Sequence, residues 1–164
     1  DPNAEAEILL ERGVKVLPLM RGAGGRDIHP SSTHGVLIRI YPDGSVVQPE
    51  NAVTQAPNYS GIQKVVVATR DAGLAYDVYS QGLGLPADPP QADLDRGVVS
   101  SIVRPPQGGI IELASPIDTS KAAGAEIDEF LNSNGEGICC LVLSADDDVP
   151  ERDISLFGTR ILIS

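Results

Sequence analysis

The chain has 164 residues and a formal net charge of −11, enough for one domain with a sizeable core or for two small fused modules. An acidic body without a Lys/Arg cluster excludes nucleic acid and anionic membrane surfaces as partners. No apolar run approaches the roughly 20 residues of a membrane span, the start DPNAEAEILLERG has neither region of a signal peptide, and the only two cysteines, adjacent at 139 and 140, build no disulfide framework, so a cytoplasmic protein is expected.

In chain order, AEAEILLER (Ala4 to Arg12) is rich in strong helix formers and stops at Gly13. VKVLPL (Val14 to Leu19) alternates like a strand, RGAGGRD (Arg21 to Asp27) turns on its glycines, and HGVLIRIYP reads as a strong strand ended by Pro42 and Asp43-Gly44. Ser45 to Ser60 is polar, with proline and asparagine and no apolar period, and reads as a linker. GIQKVVVATRD (Gly61 to Asp71) is a β-branched strand, and AGLAYDVYSQGLGLP a helix closed by Gly82. GVVSSIVRP and GGIIELASP are two further strands. A helix runs from about Ala122 to Asn132, GICCLVLSADDD is another strand, and SLFGTRILIS offers a last one. This alternation without regular crossovers predicts an α+β fold.

Strand side chains alternate, so Leu37, Arg39 and Tyr41 share one face, as do Ile62, Lys64, Val66 and Ala68, and likewise Ile110, Glu112 and Ala114. Each row holds one charge among apolar or small neighbours, and such a charge must be paired or reach water. If the faces converge, Lys64 and Arg39 flank Glu112. The bland reading is that each charge points outward on an edge strand, or that a bulge offsets the alternation. On a regular strand Cys139 and Cys140 face opposite ways, one packed as a small hydrophobe and the other toward a cleft.

His29 and His34, five apart on a turn, lack the i, i+4 spacing of a zincin and have no third partner, so they read as loop histidines. Gly22 to Gly25 lacks the Lys-Ser/Thr ending of a phosphate loop. Asp146 to Asp148 lacks the spaced ligands and closing glutamate of a calcium loop.

GIQKVVVATRD, YDVYSQGLGLP, GVVSSIV, GGIIELASPID, FLNSNGEG and ICCLVLSADD resemble, in order and spacing, the vicinal oxygen chelate superfamily, nearest its methylmalonyl-CoA epimerase and glyoxalase branch. The resemblance implies paired βαβββ modules, a curved mixed or antiparallel sheet around a cleft, and helices on the outer face. It divides the chain into a half module (1–44) resembling the end of a second module, a linker (45–60), a βαβββ module plus the next opening strand (61–148), and a tail with room for an extra strand (149–164). The N-terminal piece is then out of order, as in a circular permutation or a window cut from a tandem of such domains.

Metal-dependent members place one inward ligand on each of four strands, and the matching positions here are Lys64, Glu112, Cys140 and Arg39. Only Glu112 is a conventional oxygen ligand. No bound metal and no cofactor are expected, and the ligand-binding set is Arg39, Lys64, Glu112, Cys140, Tyr41 and Ser100, with Glu112 as candidate base. The expected function is binding of a small organic, anionic molecule by a homodimer that has lost the usual metal site. The alternatives are a diverged lyase, isomerase or epimerase acting on an anionic carbonyl or thioester, and a structural or dimerisation domain.

Overall fold

A computed structural model describes residues 1–19, 24–45, 59–106, 108–145, 150, 152–156 and 159–163. Helix α1 spans Pro2–Glu11; the Asp1 carboxylate caps it by accepting from the Asn3 N–H at 2.9 Å, and Gly13, at φ +81°, ends it in a conformation that only glycine adopts freely. Strands β1 (Arg26–Ile28) and β2 (Ile38–Ile40) follow. VKVLPL is not a strand but touches one, through the single bridge Val16 to Ile28. HGVLIRIYP is strand only at its centre, because His34 and Gly35 both take left-handed backbone, at φ 52° and 82°.

The main body holds β3 (Tyr59–Ala68), α2 (Ala72–Asp77, continued by a π-turn to Gly82), β4 (Gln91–Asp93), β5 (Val98–Val103) and β6 (Ile110–Pro116). It continues with α3 (Ala122–Asn134), β7 (Gly137–Ala145), β8 (Arg152–Leu156) and β9 (Thr159–Ile163). Seven strands form one mixed sheet in the order β4-β5-β6-β3-β7-β9-β8. β3 runs parallel to β6 and antiparallel to β7, while β7 runs parallel to β9. The stretch β3-α2-β4-β5-β6 is thus a complete βαβββ module, and β7, β8 and β9 repeat its opening and closing strands. The Ser45 to Ser60 linker reading falls mostly on residues outside the described set, as do those for Gly22 and for Asp146 to Asp148.

Alternation divides the sheet into two faces. Val67, Val103 and Leu113 pack on one with Ala75 and Tyr79 beneath α2 and its π-turn, joined by Val36 and Ile38 from the N-terminal segment. Val66, Ala68, Ala114, Cys140 and Val142 pack on the other against Ile127 and Leu131 of α3. So α2 lies on the outer face, whereas α3 covers the inner one. Each fully buried Val or Leu contributes about 1.5–3 kcal/mol, and the buried Tyr79 adds a bond from its hydroxyl to the Thr33 carbonyl at 3.2 Å, tying the N-terminal segment to the module.

The two short strands of 1–44 pair with each other in a separate antiparallel sheet, apart from the bridge to Val16. They pack through Leu9, Val14 and Ile28 rather than extending the main sheet. The strands that stand beyond β7, where the resemblance had set this N-terminal piece, are β8 and β9 of the tail.

Candidate functional site

The inner face is built from two rows of side chains crossing the sheet. Register places Glu112 (β6), Val66 (β3), Cys140 (β7) and Arg160 (β9) side by side. The next row is Lys64 (β3), Val142 (β7), Leu162 (β9) and Asp153 (β8). All of these but Glu112, with α3 and Arg96, line an open cavity of about 830 Å³, within the range of small-molecule sites.

Glu112 sits at one end, 1 % exposed. Its Oε2 accepts from Lys64 Nζ at 2.8 Å, and its Oε1 from Arg96 Nη1 at 2.6 Å. Burial alone would raise its pKa, but hydrogen bonds and charge from Arg96 and Lys64 outweigh that, so the carboxyl is held below its ordinary range and stays ionised. Arg96 comes from the tight turn between β4 and β5, where the Asp93 carboxylate accepts from the Arg96 N–H at 3.0 Å and Gly97 takes φ +71°. Helix α3 seats that turn: the Gly124 N–H donates to the Arg96 carbonyl at 3.1 Å, and a Cβ on Gly124 would collide with the Gly97 and Asp118 carbonyls.

At the other end Arg160 donates from Nε and Nη2 to Asp153, at 3.0 and 2.6 Å, and from Nη1 to Glu126 of α3. The hydrogen bond from Arg160 lowers the Asp153 pKa. Between the two charged ends lie Val66, Cys140, Val142 and Leu162, roofed by Ile127 and Phe130.

The sequence-expected residues divide. Lys64, Glu112 and Cys140 lie on the inner face. Arg39 does not: it lies in β2 and bonds Asp27 of β1, with Nη2 to Oδ2 at 2.6 Å, and its guanidinium stacks 5.9 Å from the ring of Tyr41, which is half exposed. Arg39 belongs to the small sheet and Tyr41 follows the last residue of β2, so Arg96, not Arg39, is the second cation on Glu112. Ser100 shares the inner face, opposite Ala114, but lines a separate hollow with Asp88 and Asp93 at the β4 edge. The face is also not kept along β3, because a register shift between Ile62 and Lys64 turns Ile62 away.

The cysteines depart from simple alternation. Val66 pairs with Cys140 while Val67 pairs with Ile138, so Cys139 is an extra residue at a register shift, and both thiols reach the cavity wall. Burial pushes the Cys139 thiol up to about 12 and raises Cys140 as well. The histidines act in loops: His29 Nδ1 accepts from the Ser31 N–H at 3.0 Å, and His34 meets Glu136 at 3.0 Å.

Arg96, Glu126 and Arg160 were not among the sequence candidates. Arg160 had a signal in TRILI, whose alternation sets Arg160 and Leu162 on one face; Arg96, in a turn, had none.

Compared by sequence, the chain matches no family profile and no curated protein. Solved structures match its fold. Methylmalonyl-CoA epimerase from Mycobacterium tuberculosis superposes with a TM-score of 0.50 at 20 % identity, over 65 % of this chain and 88 % of that one. A Streptomyces coelicolor methylmalonyl-CoA epimerase bound to 2-nitronate-propionyl-CoA gives 0.48 at 16 % identity, over 65 % and 98 %. A hypothetical protein from Bacillus halodurans gives 0.47 at 14 %, over 62 % and 91 %. With its complete βαβββ module, its opening strands paired antiparallel and this likeness, the chain has the vicinal oxygen chelate fold.

Proposed function

We propose that the inner-face cavity binds a small anionic organic molecule through Lys64 and Arg96, without a metal. The observation that carries this reading is the Glu112 carboxylate, buried beneath two cations whose charge exceeds its own by one. Lys64 has three donors and Arg96 five, and Glu112 takes one from each. Donors therefore remain for a ligand carboxylate, for which arginine is well shaped.

A divalent ion, which this fold commonly holds, does not suit the donors present. On the strands that line the cavity the corresponding positions offer Lys64, Glu112, Cys140 and Arg160: two cations, one carboxylate with both oxygens already bonded, and a thiol whose pKa burial has raised. Two fixed positive charges repel a cation, and one carboxylate with one thiol falls short of the usual four ligands. Among the described residues no group of three His, Cys, Asp or Glu converges.

The same geometry favours binding over proton transfer. A general base works best with a pKa near the operating pH and an exposed oxygen, whereas Glu112 is held below its ordinary range and is buried under both cations. The runner-up, an isomerase acting on an anionic thioester, rests on the fold alone. We also read the protein as a cytoplasmic homodimer; two free thiols suit a reducing compartment, and no described helix is long and apolar enough to cross a membrane.

Calorimetric titration with octanoate, with and without EDTA, tests the proposal. Binding that EDTA leaves unchanged and Arg96→Ala weakens about tenfold or more is expected. Binding that requires an added divalent ion overturns it, and deuterium uptake at the α-carbon of methylmalonyl-CoA would replace it with the isomerase reading.

A further inference from the structure

The charges of the cavity are arranged as two opposed sets. On the sheet itself each end holds one acid and one base: Glu112 beside Lys64 at the β6–β3 end, Arg160 beside Asp153 at the β9–β8 end. A third charge reaches each end from outside the sheet, Arg96 from the turn before β5 and Glu126 from α3. Of the side chains paired with one another, those at the first end carry one net positive charge and those at the second one net negative charge; Asp93, at the foot of the turn, also acts on Arg96. Lys64 and Asp153 stand in one row, three strands apart, or about 14 Å between backbones at the ordinary strand spacing. Val142 and Leu162 fill the row between them, and Val66 and Cys140 the row beside it.

Resting on the anion-binding reading above, we infer that the ligand is an elongated zwitterion: a carboxylate held by Lys64 and Arg96, an apolar middle lying over Val142 and Leu162, and a protonated amine held by Asp153 and Glu126. An apolar floor between opposite charges rewards a molecule with the same sequence of groups. It penalises one with two anionic ends, whose far carboxylate would meet Asp153 and Glu126 in a partly desolvated site. The exposed Glu129 at the cavity mouth adds to the negative side. Arg160 gives three of its five donors to Asp153 and Glu126, whose two negative charges outweigh its one, so this end as a whole disfavours an anion.

Titration of the full chain with ω-aminobutanoate, ω-aminohexanoate, ω-aminooctanoate, octanoate and suberate tests this. Affinity should rise along the amino acid series as the charge separation approaches that of the site. ω-Aminooctanoate should bind at least about tenfold more tightly than suberate or octanoate. In the double variant Glu126→Gln/Asp153→Asn that end changes from one net negative to one net positive charge, and suberate should then bind more tightly than ω-aminooctanoate. Both substitutions are on exposed side chains, and an unchanged circular dichroism melt would show the fold intact. If suberate or octanoate binds the unmutated protein as tightly as ω-aminooctanoate, the zwitterion inference falls and the anion site stands. If none of the five binds, both fall.

Discussion

Arg96 and Glu112 lie 16 residues apart in the chain, and Arg96 donates to the buried Oε1 of Glu112 at 2.6 Å. Lys64 occupies the other oxygen, so the carboxylate joins a turn, β3 and β6 in one charged cluster. Glu112→Gln keeps the shape and removes the charge. Breaking a fully buried pair costs about 3–5 kcal/mol. Here the Lys64 and Arg96 side chains are 27 % and 41 % exposed, so water screens part of the loss. A destabilisation of about 1–3 kcal/mol is expected, read as a lower urea midpoint with unchanged slope.

The same pair has a pH signature. The folded pKa of Glu112 is depressed, so its contribution is fully present above the unfolded glutamate pKa and is lost as pH falls through the folded value. Unfolded glutamate titrates near ~4.3. The stability gap between the unmutated protein and Glu112→Gln should therefore be constant from neutral pH down to about 5 and shrink on further acidification. Denaturation curves collected across that range check it; a gap that widens in acid would show that Glu112 is not held ionised by its partners.

How much of this was legible before the structure depends on the periodicity of each segment. KVVVA and IIELA are apolar runs that each carry a single charge, so counting every second residue from Lys64 and from Glu112 could place each on a face of its strand. Arg39 sits in a clear alternation, IRI, but alternation says which residues share a face and not which sheet the strand joins. The Asp27–Arg39 pair and the apolar contact of Ile28 with Leu9 and Val14 settle that in favour of the small sheet. Arg96 lies in a turn, DLDRG, where no period exists to read. The shift at Cys139 was invisible for a different reason: a bulge is a property of two strands in register, and one strand's sequence does not contain it.

Gly124 gives a prediction that runs against helix propensity. In an exposed helix interior Gly→Ala stabilises by about 1 kcal/mol. Here the added methyl would strike the carbonyls of Gly97 and Asp118, which are backbone and cannot rotate aside. Gly124→Ala should instead destabilise by about 1–3 kcal/mol. It should also weaken octanoate binding, because the collision pushes on the turn that presents Arg96. A melt that rises, with affinity kept, would mean that the turn yields without moving Arg96.

Both cysteines line the cavity, yet burial raises both thiol pKa values, that of Cys139 to about 12. Only the thiolate reacts, so at pH 8 a disulfide reagent should modify Cys139 at least about 100-fold more slowly in the native protein than in urea, and Cys140 more slowly than in urea as well. A ligand seated over Cys140 should slow it further. Rapid labelling of either thiol in the folded state would contradict the burial that encloses the site.

The sharpest separation between the expected and the observed site comes from two arginines. Arg39→Ala removes a bond to Asp27 and a stack on Tyr41, both at the small sheet and its edge, and touches no residue of the Glu112 end. Arg96→Ala removes half of the positive charge beside Glu112. If the cavity binds anions through Lys64 and Arg96, octanoate affinity should be unchanged in Arg39→Ala and fall about tenfold or more in Arg96→Ala. Because Lys64 still pairs with Glu112 in that variant, the carboxylate is not left unpaired, and the protein should remain folded. Affinity lost in Arg39→Ala and kept in Arg96→Ala would move the site to the small sheet, since no other described arrangement links Arg39 to the inner face.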